Sequence, residues 1–66
     1  MKAVLHRHIG VEPTGKGKFH EIVLAEDANY LVIDSGGTDF VKVVREGPKI
    51  AAMARVRDLD YVTLEG

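Results

Sequence analysis

Glycine and proline stand between the apolar runs of this chain and not inside them. Pro13, Gly15 and Gly17, then the Gly36-Gly37 pair, then Gly47 and Pro48 mark off runs of strand length, each too short for a row of packed helices. Punctuation of this kind constrains the fold to short extended segments joined by tight turns.

The segments themselves agree. Residues 2–9, KAVLHRHI, set Ala3, Leu5 and Ile9 against Val4, His6 and His8, with Arg7 out of pattern. Residues 18–25 place Ile22 and Leu24 opposite Phe19 and Val23, and an acidic turn at 26–29 leads to NYLVID, which reads as a strand buried on both faces. DSGGTD at 34–39 carries the strongest hairpin signal, because Gly36-Gly37 tolerates the positive φ of primed turns. DFVKVVR at 39–45 then returns, and Pro48, which has no N–H to give a ladder, ends that run.

Residues 49–57 admit two readings. An alanine-rich composition after Gly-Pro favours a helix, whereas Ile50, Ala52, Ala54 and Val56 alternate with Ala51, Met53, Arg55 and Arg57 as a strand would. The tail favours the strand: a short Asp-Leu-Asp connection feeds a last strand, YVTL. The expected fold is therefore all-β and a single domain over 1–66. It is a five- to six-stranded antiparallel meander, or a barrel similar in layout to small SH3-like barrels, with a short 3₁₀ turn near 57–60. The alternative is α+β, a four-stranded meander with one helix at 49–57.

Size and composition narrow the function classes. A chain of 66 residues buries only about 60% of its unfolded surface, which leaves little room for a deep catalytic cleft. The absence of cysteine excludes disulfides and thiolate metal sites and fits a reducing compartment. MKAVLHRHIG lacks the apolar stretch of a signal peptide, and IVLA and YLVI are far shorter than a membrane span, so a cytoplasmic chain is expected. The net charge of −1 conceals a pattern: residues 1–20 carry Lys2, Arg7, Lys16 and Lys18 against Glu12, while 21–40 carry Glu21, Glu26, Asp27, Asp34 and Asp39 with no Lys or Arg.

The candidate sites are few. GVEPTGKG has the spacing of a Walker A loop, but Gly17 stands where a hydroxyl should, and a strand-like run follows instead of a helix, so no nucleotide is expected. His6 and His8 share a strand face and are weak metal candidates, with His20 or Glu21 as a third ligand. Lys16, Lys18 and Phe19, extended by Arg55 and Arg57, form a set that could hold phosphates and stack a base. Asp34 and Asp39 beside the Gly-Gly turn read as turn carboxylates. No nucleophile and base combine in a catalytic order, and no cofactor or metal is expected. The leading expectation is a non-enzymatic module that docks on another protein or on itself, with Phe40, Lys42 and Val44 as the contact row; weak, sequence-tolerant nucleic-acid binding is the alternative.

Overall fold

The structure is a computed structural model that describes residues 1–34 and 39–66. The Gly36-Gly37 turn lies outside the described residues. Among the described residues six strands follow in order: β1 (Lys2–Val11), β2 (Gly17–Ala25), β3 (Tyr30–Asp34), β4 (Phe40–Arg45), β5 (Lys49–Arg55) and β6 (Tyr61–Glu65). All pairings are antiparallel, and they make two three-stranded sheets, β2-β1-β6 and β3-β4-β5. The chain is all-β, and residues 49–55 form a strand and not a helix. Among the described residues no helix is long and apolar enough to cross a membrane.

The central strand of each sheet is the most buried, since it has neighbours on both edges. Val41 and Val43 of β4 point inward, and Ala3, Ala28 and Val43 form the core with Leu24, Leu31 and Leu64 packed around it. Small side chains at Ala3, Ala25, Ala51 and Ala52 let the two sheets approach closely there. Residues 28 and 29 stitch the sheets together. The N–H of Ala28 donates to the carbonyl of Met1 at 2.7 Å, the Met1 ammonium returns a bond to Ala28 at 2.9 Å, and the N–H of Asn29 donates to Val44 at 2.7 Å.

Three sequence expectations are corrected. NYLVID is not buried on both faces: among the described residues β3 is an edge strand paired with β4 alone, Tyr30 and Val32 lie exposed on its outer face, and Ile33, on the inward side with Val41, is exposed near the end of the strand, outside the core cluster. The connection at 57–60 is a β-turn and not a 3₁₀ turn. The N–H of Asp60 donates to Arg57 at 3.0 Å, but Leu59 sits at φ 71°, outside any right-handed helical geometry. Ile9 leaves the inner row of β1 because a register shift between His8 and Gly10 skips it, and it faces solvent.

The molecule is flat. Its Cα radius of gyration is 12.8 Å and its extents are 45 × 29 × 12 Å, whereas a compact chain of this length has a radius of roughly 11 Å. Its accessible surface of 4579 Å² likewise exceeds the roughly 4,100 Å² expected of a compact monomer of this mass. Apolar side chains that a thicker fold would cover remain at the surface.

Candidate functional site

Directly paired residues in an antiparallel sheet project to the same side. In β3-β4-β5, the inward side carries Leu31, Val43 and Ala52, so the opposite side carries the rows Tyr30–Val44–Ile50, Val32–Lys42–Met53 and Asp34–Phe40–Arg55. Phe40, Lys42 and Val44 are thus the spine of the outer face. Val44 is itself covered by its neighbours, Phe40 and Lys42 are half-buried, and Tyr30, Val32, Ile50 and Met53 are between 42% and 55% exposed. A single ammonium, that of Lys42, lies between Val32 and Met53 in an otherwise apolar band.

A second constellation lies where β1 meets the β5–β6 connection. The Asp60 side chain is only 1% exposed. Its Oδ1 accepts the backbone N–H of His8 at 2.8 Å, and its Oδ2 accepts the N–H of Arg57 at 3.0 Å and Nε of Arg7 at 3.3 Å. The His8 amide, above all, holds the Asp60 carboxyl below its ordinary range. Burial opposes it, and the Arg57 amide and the Arg7 and Arg57 guanidiniums reinforce it. Arg7 also donates to the carbonyl of Arg55 at 2.7 Å. The out-of-pattern arginine of β1 is therefore a structural tie. Spacing makes Asp60 a natural partner for Arg57, three residues before it, and Arg7, out of pattern among apolar neighbours, signals a carboxylate partner; that a single buried Asp60 serves both is visible only in the fold.

The histidines lie on the outer face of the other sheet, on the same side as their spacing implied. His6 is buried. Its ring stacks on Tyr61 with centroids 4.4 Å apart, and its Nε2 lies 2.8 Å from Thr63 Oγ1. Because the Thr63 hydroxyl donates to Glu65 at 3.0 Å, its oxygen is free to accept, which places the His6 proton on Nε2. His8 meets the edge of Phe19 at 5.3 Å, and Phe19 in turn meets Tyr61 at 5.1 Å. Gly17 makes room for the phenyl ring, since a Cβ there would stand 3.0 Å from it. Glu21 reaches to 3.8 Å from His6 Nδ1, but His20 pairs with Arg7 and so belongs to the opposite side of the sheet. Among the described residues no group of three His, Asp or Glu is placed to hold a metal.

The remaining basic residues separate. Lys16 belongs to the β1–β2 hairpin turn, where the N–H of Glu12 donates to its carbonyl at 2.7 Å, Gly15 takes φ 90°, and β2 begins directly at Gly17. No helix N-terminus follows this loop to receive a phosphate. Lys18 is exposed on β2. Arg55 and Arg57 do not share a strand face, as the strand reading of 49–57 implied, because β5 ends at Arg55 and Arg57 turns toward Asp60, its Nε 3.7 Å from Oδ2. Comparison of the chain with family models, with curated proteins and with solved structures gives no match.

Proposed function

We propose that this chain is a small non-enzymatic binding module that docks on another protein, a second copy or a different chain, through the outer face of β3-β4-β5. The observation that carries the reading is the contiguous band of Tyr30, Val32, Ile50 and Met53 around Lys42, in a molecule flatter than its length requires. Contiguous apolar surface of this kind marks contact surfaces, and the lone cation within it supplies register rather than affinity. The strand grouping supports a layout similar to SH3-like barrels, and the lack of cysteine fits a cytoplasmic setting.

Sedimentation over a concentration series, with Val32→Asp/Met53→Asp beside the wild type, tests the reading. An assembly abolished by the substitutions identifies a second copy as the occupant. A wild-type assembly that survives both substitutions contradicts docking through this face.

A second reading, weak and sequence-tolerant nucleic-acid binding, draws on the edge contact of Phe19 with Tyr61, both partly exposed, with Lys18 next to Phe19 in the chain. Glu21 and Glu65 beside His6 oppose a phosphate backbone there. If Lys16→Glu/Lys18→Glu leaves the affinity for a short single strand at low salt unchanged, this second reading fails.

A further inference from the structure

We propose, building on the binding-module reading, that the cleft beside the β5–β6 turn takes a short extended peptide whose large apolar side chain is flanked by lysine or arginine. The cleft encloses about 430 Å³, in the lower part of the range for ligand sites, about 300–1,000 Å³. Its apolar lining comes from Ile33 at the edge of β3, Phe40 and Val41 of β4, Val56, Leu59, and Val62 of β6. Val41 is almost fully buried, whereas Ile33 and Leu59 are among the most exposed large apolar side chains of the chain. The site therefore has an apolar interior and apolar lips; it adjoins the outer face at Phe40 but includes none of Val32, Lys42 and Met53.

Leu59 strengthens the assignment. It is the one non-glycine residue with positive φ among the described residues, and it presents its side chain to solvent at 69% exposure. The turn thus holds a large apolar side chain out at the lip of the cleft, where an apolar ligand removes it from water.

The charges select the partner. Of the ionic groups lining the cleft, Asp60 is shared by Arg57 and by Arg7, while Asp39 and Asp58 meet no cation among the described residues, so the lining of three carboxylates and one guanidinium is acidic. Two unopposed carboxylates around an apolar cavity favour a cationic flank and disfavour phosphate. The chain's own apolar-basic stretch, Lys16 to Phe19, cannot serve from a second copy without dismantling a contact already made, since Phe19 is packed against His8 and Tyr61.

The test uses three fluorescein-labelled hexapeptides, RKLFRK, DELFED and RKSSRK, titrated by anisotropy at low salt with amide shifts recorded in parallel. RKLFRK is expected to saturate, with shifts centred on Val41, Leu59 and Val62, and to bind about tenfold or more tightly than DELFED; RKSSRK is expected not to bind. Leu59→Gly, which keeps the turn geometry, and Asp39→Asn/Asp58→Asn should each weaken RKLFRK by roughly three- to tenfold with the melting temperature retained. Val32→Asp/Met53→Asp should leave peptide binding intact, which separates this cleft from the outer face. The proposal is overturned if RKLFRK shows no saturable binding at millimolar concentration, or if its shifts fall on Val32 and Met53. It is overturned equally if the cleft amides shift with protein concentration alone, which would assign the cleft to a second copy.

Discussion

Arg7 and Asp60, 53 residues apart in sequence, meet at 3.3 Å and tie the middle of β1 to the link between β5 and β6. The same carboxylate accepts two backbone amides, so it organises a chain reversal as well as closing an ion pair. Asp60→Asn keeps the size but presents an NH₂ group to donors that need an acceptor. Thermal unfolding of Asp60→Asn and Asp58→Asn side by side should show a clear loss for the first and almost none for the second, whose side chain has no partner among the described residues.

The depressed Asp60 pKa fixes a pH dependence. The folded carboxyl titrates below its unfolded value of about 3.9, so between those two values the unfolded state binds the extra proton. The contribution is fully present above the unfolded pKa and is lost as pH falls through the folded one. Melting temperatures from about pH 6 down to about pH 2 should fall more steeply for wild type than for Asp60→Asn, and the two curves should converge at the acid end. Parallel curves would contradict the role of Asp60.

The stack of His6 on Tyr61 is separable from its hydrogen bond. His6→Ala removes both the ring contact and the bond to Thr63 and should cost about 1–3 kcal/mol by chemical denaturation. Thr63→Val removes only the acceptor and should cost less. Equal losses would show that the ring contact contributes nothing.

Val43 is fully buried in the core with Ala3 and Ala28. Val43→Ala deletes two methyl groups where the surrounding alanines have little side chain with which to fill the gap, and should cost about 2 kcal/mol in urea unfolding. In a domain this small, that is a large share of the total stability.

The strands were legible because each one carries its own period and is bounded by its own turn residues; Tyr30–Asp34 and Phe40–Arg45 fall almost where the sequence put them. The ambiguous 49–55 is a strand, but its alternation is broken: a register shift skips Ala51, so Ile50 joins Met53 on the outer face and Ala51 and Ala52, adjacent in sequence, both pack where the sheets approach. What could not be read locally depends on which strands meet. The exposure of β3 follows from its position at a sheet edge, and the Asp60 network joins Arg7 and His8 of β1 to the distant stretch 55–60, a meeting for which local spacing offers no cue. Leu59 was hidden for a different reason: a leucine at positive φ breaks the propensity rule by which turns are recognised.

The most direct test of docking through the outer face is affinity capture of a tagged copy from its source cell, with the untagged chain also present and Val32→Asp/Met53→Asp as the paired bait. The wild-type bait is predicted to retain a stoichiometric protein, either the untagged chain or one other, and the substituted bait, equally folded by circular dichroism, to lose it. Retention of the same protein by both baits, or of none by the wild type, would contradict the account.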